Sequence, residues 1–332
     1  MKKTMILFTS FLLLLMLALN CGGGGEKKTE TVPQVNSTEG ADPSVSAELG
    51  GKGFEEIASK LGYQTYTITP EEEIYFGDPK AIKGGSINYI HGLFPRTMRV
   101  HGQNASQVLN SRTIDHLCYQ TLLGLHPVSL DFIPKLASHW KISEDKMQFW
   151  FRIDPEARWS DGRRVTSEDV VATWFLRMDE TILDPSQQVM YGKFEEPVAE
   201  SMYIVSVVAS DSQWRNFQQF SGMSILPAYY VDQVDGSEYL EKYQFSFMPN
   251  TGPYILKNED VINQESYKVT RRDDFWAKDH LQNRYRFNFD AISWFVIKDN
   301  STLPFEKLKK GEFDFFDVLR SARWVEDCVP KK

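Results

Sequence analysis

Residues 149–171 read F-W-F-R-I-D-P-E-A-R-W-S-D-G-R-R-V-T-S-E-D-V-V, and they predict a strand, a turn and a helix in immediate succession. Apolar residues occupy every second position from Met147 to Ile153, which is the pattern of a strand with one buried face. In the turn that follows, Gly162 can adopt a positive φ, and the Asp161 carboxylate can accept hydrogen bonds from the nearby backbone. We therefore expect a strand that ends near Ile153 and a tight turn after it.

The helix after this turn carries its own start signal. Thr166 is suited to cap the first turn, and Asp169, three residues later, completes a capping box. The apolar residues that follow are expected to share one buried helical face; they are Val170, Val171, Trp174, Phe175 and Met178. Trp159 in the turn and Trp174 in the helix are therefore both predicted to be buried.

Together these elements resemble the signature of the family 5 extracellular solute-binding proteins, the oligopeptide-, dipeptide- and nickel-binding receptors of bacterial importers. Six further segments resemble motifs of that family in the same order along the chain; they are residues 76–90, 118–125, 134–140, 250–254, 271–276 and 309–314. The chain departs from the usual motifs at Gln120, where glutamate is usual, at Asn250, where glycine is usual, and over 97–110, which replaces a proline-containing loop.

The resemblance implies a mixed α/β (α+β) fold of the periplasmic-binding-protein type II kind, with two lobes. Residues 76–98 and 200–324 would form the first lobe, and 99–199 a smaller inserted α/β domain. Family members continue beyond the segment that matches 309–314 into a second lobe. We therefore expect that lobe to be largely missing, residues 325–332 to be an atypical tail, and the chain as given to bind oligopeptides weakly or not at all.

The N-terminal residues predict export and a lipid anchor. Two lysines precede an apolar run over 5–19 that is short for a membrane span, so residues 1–20 are expected to be a signal peptide. The sequence L-A-L-N-C that ends at Cys21 is followed by four glycines and resembles a bacterial lipobox, which implies that Cys21 is acylated. An ordinary signal peptide with an incidental cysteine is the alternative.

The residues after Cys21 predict a tether. Glycine, serine, threonine and glutamate dominate 22–46, so residues 21–75 are interpreted as a lipid-anchored flexible spacer and lead-in. The protein is then expected in the bacterial cell envelope, facing the periplasm or the cell surface, and held to the membrane by its lipid.

The composition fits a folded body beyond the tether. Hydrophobic residues make up 42% of the 332, and the formal net charge of −8 argues against a nucleic-acid partner. Two more cysteines follow, and Cys118 is expected to be a buried free thiol on a helix over 111–123, whereas Cys328 gives no clear signal.

The sequence contains no recognisable enzyme motif. It lacks H-E-x-x-H, G-x-S-x-G, a phosphate-binding loop and a dinucleotide-binding turn after a strand. Six histidines are scattered without the spacing of metal ligands; they are His91, His101, His116, His126, His139 and His280. We therefore predict no catalysis, no cofactor and no metal site.

The resemblance implies that the protein captures oligopeptides or similar small solutes and delivers them to the ABC permease subunits of the inner membrane. The candidate ligand contacts are Asn250, Thr251, Gly252, Tyr254, Phe275 and Trp276. The alternative for these six is a purely structural role as a glycine turn with packed aromatic residues. Alternative functions are a surface-exposed adhesin or antigenic lipoprotein, a non-functional truncated receptor, and a cell-wall hydrolase, which would need a convergent acid–base pair.

Overall fold

A computed structural model describes residues 40–105, 114, 116–298, 302–316 and 321–325. The predictions for the signal peptide, for lipidation of Cys21, for Cys328 and for most of the tail therefore lie outside the described residues. No helix in the described ranges is long and apolar enough to cross a bilayer.

The described residues form the following strands and α-helices, numbered in chain order. The strands are β1 (Ser86–His91), β2 (Leu123–Leu125), β3 (Phe132–Pro134), β4 (Ala137–Ile142), β5 (Gln148–Ile153), β6 (Val198–Ala199), β7 (Ile204–Val208), β8 (Tyr254–Ile262), β9 (Ser266–Arg271) and β10 (Ala291–Val296). The helices are α1 (Phe54–Ile57), α2 (Glu73–Phe76), α3 (His116–Cys118), α4 (Ser167–Met178), α5 (Pro185–Tyr191), α6 (Trp214–Ser221), α7 (Ala228–Val231), α8 (Gly236–Lys242), α9 (Thr302–Lys309) and α10 (Ser321–Arg323).

The strands form two four-stranded sheets and one hairpin. The first sheet has the order β1-β10-β9-β8, with β1 parallel to β10 and the other neighbours antiparallel. The second sheet has the order β4-β5-β7-β6 and is antiparallel throughout, while β2 and β3 pair with each other. Side chains from both sheets, such as Phe151 and Tyr267, belong to one hydrophobic core.

Strand pairing in the second sheet crosses the predicted domain boundary between residues 199 and 200. The first lobe was expected to resume at residue 200, but β7 pairs along its length with β5, on the other side of that boundary. Residues 204–208 therefore share a sheet with β4 and β5, which the prediction assigned to the other side of this boundary. Four of the five residues of β7 are buried, as expected of a strand with neighbours on both sides. The apolar run predicted the strand but could not specify its partner.

Residues 149–171 fold as their pattern predicts. β5 buries Phe149, Phe151 and Ile153 on one face. The turn has Gly162 at φ +86°, and the Asp161 Oδ1 atom accepts a hydrogen bond from the backbone N–H of Arg163 at 3.1 Å. The prediction of a strand followed by a tight turn is therefore confirmed.

Helix α4 confirms the cap and corrects the helical face. It begins directly after Thr166, whose backbone N–H donates to the Asp169 Oδ2 atom at 2.8 Å. Val170 and Trp174 are buried as predicted, but Phe175 is 47% exposed. Phe175 follows Trp174 by one residue, which turns its side chain about 100° around the helix axis and away from the core.

Residues 40–58, which we call the N-terminal segment, cover the face of the second sheet that is turned away from the main core. Phe54 is fully buried there beside Ile204. Arg152 of β5 donates from Nε to the carbonyl oxygen of Gly50 and from Nη1 to the Glu55 carboxylate, both at 2.9 Å. Arg164 also donates to the carbonyl oxygen of Gly40, and the Asp42 N–H donates to the Tyr203 hydroxyl. In the predicted spacer and lead-in over 21–75, contacts therefore hold the chain to the folded body from residue 40 onward.

The helix predicted over 111–123 is shorter in the part that the structure describes. α3 covers His116–Cys118, and the chain is no longer helical at Tyr119. Cys118 is buried and free, as expected, and burial raises the pKa of its thiol to about 12. Because α3 ends at Cys118, the residues that follow can form hydrogen bonds with the turn that precedes β8.

Candidate functional site

The turn before β8, residues 250–254, is fastened to the chain that leaves α3. The backbone N–H of Gly252 donates to the carbonyl oxygen of Cys118 at 2.8 Å. The backbone N–H of Gln120 donates to the Thr251 hydroxyl at 3.0 Å. A Cβ atom at residue 252 would lie 2.5 Å from the carbonyl oxygen of Leu117, so only glycine permits this approach.

A buried arginine closes the same turn from the other side. Arg272 donates from Nη1 to the carbonyl oxygens of Asn250 and Gly252, at 3.0 and 3.1 Å. Its remaining nitrogens pair with the Asp274 carboxylate at 3.1 and 3.2 Å. Hydrogen bonds therefore fix the turn from both sides, and it supports the residues that lie beside it.

Next to this support, three side chains form a connected group. The Trp276 indole N–H donates to the Gln120 Oε1 atom at 2.9 Å. The His280 ring packs edge-on against Trp276, with 5.1 Å between the ring centroids. Because Trp276 binds the amide oxygen of Gln120, the amide NH₂ group stays available as a donor, and among the described residues it has no hydrogen-bond partner.

Gln120 and His280 line a cavity of about 390 Å³, which we call the larger cavity. Its volume falls within the range that is usual for small-molecule sites. Aromatic, amide and basic side chains share its wall; they include Tyr75, Phe76, Tyr119, Lys135, Gln282 and Arg286. The site therefore offers apolar surface together with hydrogen-bond donors and acceptors.

A second cavity of about 180 Å³, the smaller cavity, lies beside the first. Four residues line both cavities; they are Pro253, Asn283, Arg286 and Phe287. Pro253 belongs to the fastened turn, so the same support positions both spaces. We refer to the two adjoining cavities together as the candidate site.

Comparison with known proteins decides the family. The model of the bacterial extracellular solute-binding proteins, family 5 (middle region), matches residues 131–326. This chain belongs to family 5 of the bacterial extracellular solute-binding proteins. The turn, the Trp276–Gln120 pair and both sheets lie wholly or partly within the matched region.

Relatives of this family 5 protein are longer. It is 28% identical over 258 residues to a Brucella melitensis protein whose name describes it as a binding protein, covering 75% of this chain and 40% of that one. It is 27% identical over 194 residues to the probable peptide-binding protein YejA of Agrobacterium fabrum, covering 57% and 31%. The chain thus spans less than half the length of these relatives.

Solved structures of the family share the fold. The oligopeptide-binding protein AppA of Bacillus subtilis, solved with a nonapeptide, superposes with a TM-score of 0.59 at 20% identity. The match covers 74% of this chain and 46% of AppA. The mixed α/β fold of periplasmic binding proteins of type II is therefore confirmed.

The six predicted contact residues of this family 5 chain differ in their access to the site. Asn250, Thr251 and Tyr254 are buried, and the Tyr254 hydroxyl donates to the carbonyl oxygen of Phe289 at 2.8 Å. Burial raises the pKa of Tyr254 to about 12. Phe275 lines the smaller cavity, and the half-buried Trp276 contacts Gln120 behind the wall of the larger one. That these residues touch a ligand stays a prediction.

Several lining residues were not among the candidates. Tyr75 and Phe76 come from α2, His116 comes from α3, and Arg286 comes from the stretch before β10. Only Phe76 lies in a segment that resembles a family motif, and no pattern indicates that these side chains share a cavity. In the sequence, Gln120 stands out only because glutamate is usual at its position.

The described residues offer no site for a metal ion. No three His, Cys, Asp or Glu side chains among them are grouped to hold one. The larger cavity is also lined by no carboxylate within the part of the chain that the structure describes. The side chains that line the two cavities can form hydrogen bonds, make apolar contacts and attract negatively charged groups.

Proposed function

We propose that this family 5 solute-binding protein captures oligopeptides, or similar small solutes, for an ABC importer and hands them to a membrane permease without catalysis. The observation that supports this most is the larger cavity, built on the fastened turn and lined by aromatic rings and amide side chains. Such a mixed lining suits a ligand with a repeated amide backbone and varied side chains.

The chemistry of the wall agrees with a peptide ligand. Gln120, with its oxygen fixed by Trp276, keeps an NH₂ donor for a carbonyl group. Tyr75 and Phe76 add ring surface, which contributes affinity without fixing one side-chain identity. A cell-wall hydrolase would instead need paired carboxylates in its site, so we prefer the binding function.

The first test is peptide binding by the chain and by a cavity variant. The wild-type chain should bind a mixed peptide library saturably, although more weakly than the longer YejA protein, which serves as the positive control. Trp276→Ala should weaken that binding about tenfold, because it frees Gln120 and removes the ring that supports His280. Isothermal titration calorimetry measures both affinities.

The matched control is Trp214→Ala, since Trp214 lies at the start of α6 and is 71% exposed. This variant should bind peptides as the wild type does. If YejA binds the library and the wild-type chain does not, peptide capture by this chain is contradicted. Equal losses in both tryptophan variants would contradict the placement of the site.

We also infer that Cys21 carries the lipid that holds the protein in the cell envelope. The lipobox-like sequence and the glycines after it support this inference. In the native bacterium, Cys21→Ser should abolish labelling by a fatty-acid analogue, and globomycin should make the wild-type precursor accumulate. Labelling that persists in the variant would contradict lipidation at this residue.

A further inference from the structure

The turn between β2 and β3 supplies residues both to the larger cavity and to the protein behind its wall. Leu125 and Pro127 line the cavity, whereas His126, which lies between them in the chain, is only 2% exposed and does not line it. A buried histidine needs partners for its ring nitrogens. The contacts of His126 therefore indicate why a histidine occupies this position.

The turn itself uses one nitrogen of the His126 ring. The backbone N–H groups of Val128 and Ser129 donate to the Nδ1 atom, at 3.4 and 3.1 Å. Because backbone N–H groups can only donate, Nδ1 is the acceptor, and we infer that the neutral ring carries its proton on Nε2. These hydrogen bonds hold the ring to the same turn that places Leu125 and Pro127 in the cavity wall.

Three aromatic rings surround the His126 ring. Tyr66 stacks on it, with 5.7 Å between the ring centroids and 27° between the ring planes. Tyr75 and Phe76 of α2 contact it almost at right angles, at centroid distances of 5.7 and 5.2 Å. Offset-stacked and edge-on arrangements are the favourable ones for aromatic pairs. His126 thus connects the turn after β2 to the segment that ends in α2.

The second nitrogen of the His126 ring lies near the start of α2. Nε2 is buried without a hydrogen-bond partner among the described residues, and the Glu72 Oε1 atom, 3.9 Å away, is too distant for one. Glu72 instead accepts from the Tyr66 hydroxyl at 2.6 Å and from the backbone N–H of Thr69 at 2.8 Å. Ring packing, rather than a hydrogen bond to Nε2, therefore holds α2 against His126.

Two of the three rings also line the larger cavity. They are Tyr75 and Phe76, and Tyr75 is 48% exposed. Because His126 packs against both rings, they have little freedom to turn away from the cavity. A wall of fixed ring surface favours a solute group that is itself aromatic, since aromatic pairs gain more than their buried area alone provides. An aliphatic group gains the buried area only.

We propose that His126 is a positioning residue for this wall: it holds Tyr75 and Phe76 in place, and these rings select solutes that carry an aromatic group. The proposal rests on the proposed function, in which the solute is a peptide and the aromatic group is one of its side chains. A histidine suits this role because a single ring supplies the Nδ1 acceptor for the turn and the packing surface for the two rings. Asparagine or phenylalanine at this position would supply only one of these.

The test uses pentaalanine peptides in which one residue is phenylalanine or leucine, with each position examined in turn. At one or more positions, the wild-type chain should bind the phenylalanine peptide about fivefold more tightly than the leucine peptide, a usual gain for an aromatic pair. In His126→Asn, which keeps an acceptor for the turn but lacks the ring, the ratio should fall to about one. His126→Phe, which keeps a ring, should retain most of the wild-type ratio. Isothermal titration calorimetry measures these affinities.

Two further variants act as checks on this comparison. Tyr75→Leu removes one ring of the wall directly and should lower the ratio as His126→Asn does; since Tyr75 is 48% exposed, the fold should be retained even if His126→Phe does not fold. His139→Asn is the matched control, because the His139 ring packs against Phe54 at 5.3 Å and lines neither cavity. It should keep the wild-type ratio. Thermal melting shows whether each variant is folded.

Hydrogen exchange tests the positioning role without any ligand. The backbone amides of residues 72–76 should exchange faster in His126→Asn than in the wild type, because α2 loses the ring that it packs against. In His139→Asn, exchange over the same residues should match the wild type. Mass spectrometry of peptic fragments that cover this segment measures the difference.

The outcomes distinguish this proposal from peptide capture itself. Equal binding of the phenylalanine and leucine peptides by the wild-type chain at every position would overturn the aromatic selection and leave peptide capture intact. A ratio that persists in His126→Asn, or that is lost in a folded His126→Phe, would overturn the role of the His126 ring. If no peptide binds, peptide capture is contradicted, and unchanged exchange over residues 72–76 in His126→Asn would then overturn the positioning role as well.

Discussion

Replacing Trp159 by alanine is expected to lower the free energy of unfolding by about 3–5 kcal/mol, the usual cost of emptying a large aromatic site in a core. Trp159 is only 1% exposed, and it is one of the largest fully buried side chains in the described part of the chain. Its indole N–H also donates to the Asp169 Oδ2 atom at 3.2 Å. The variant therefore loses apolar contacts and leaves a buried carboxylate with one donor fewer.

Urea denaturation followed by circular dichroism measures this loss. Trp159→Phe retains most of the ring but lacks the N–H donor, so it should cost less, about 1–3 kcal/mol. Trp214→Ala removes an exposed indole of the same size and should change stability by no more than about 0.5 kcal/mol. An unfolding midpoint of Trp159→Ala equal to that of the wild type would show that the turn is not packed as described.

Ionisation of Asp169 is expected to make the protein less stable as the pH rises from about 4 to about 7. Burial raises the pKa of this carboxyl from 3.8 to about 6, although it accepts hydrogen bonds from Ala228, Thr166 and Trp159. The folded state holds the proton more tightly than the unfolded state. The stabilisation is therefore complete below the unfolded pKa and is lost as the pH passes about 6, by about 3 kcal/mol in all.

The comparison with Asp169→Asn isolates this contribution from the other carboxylates. An amide cannot accept at both positions, so the variant should be less stable than the wild type at acidic pH. The difference in unfolding free energy between the two proteins should shrink as the pH rises through about 6. Unfolding curves between about pH 4 and pH 7 measure it. A difference that stays constant would show that Asp169 does not titrate in this range.

The sequence predicts structure best where neighbouring residues decide it. The alternation in β5, the turn at Gly162 and the cap at Thr166 depend on contacts within a few residues, and the structure confirms them. The sequence gives little indication of which distant strands or side chains contact each other in the fold. The apolar run of β7 fits an inner strand of either sheet, and the glycine-rich N-terminal residues give little sign that Phe54 anchors the chain against Ile204.

In the candidate site, too, the sequence predicts local features better than contacts between distant residues. The turn at 250–254 stands out by its motif, because a close approach to Cys118 requires glycine at one position. The larger cavity cannot be recognised from the sequence, because its wall includes residues from 75–76, 116–135 and 277–287, which only the folded chain brings together. Arg286 lies in none of the segments that resemble family motifs, and its place in the cavity wall is visible only in three dimensions.

The N-terminal segment also determines how the protein would bear tension. Its backbone binds β5 through Arg152, Ser201 donates to the carbonyl oxygen of Leu49 at 2.7 Å, and Tyr203 accepts from the backbone N–H of Asp42 at 2.8 Å. A pull on the N-terminus would load these contacts in succession, from Asp42 toward Gly50, and the contact at Gly50 passes the force directly to β5. β5 and β7 are inner strands with a neighbour on each side, so the force would be shared across the sheet instead of peeling off an edge. The attachment can thus yield stepwise, and none of the residues that form it lines either cavity.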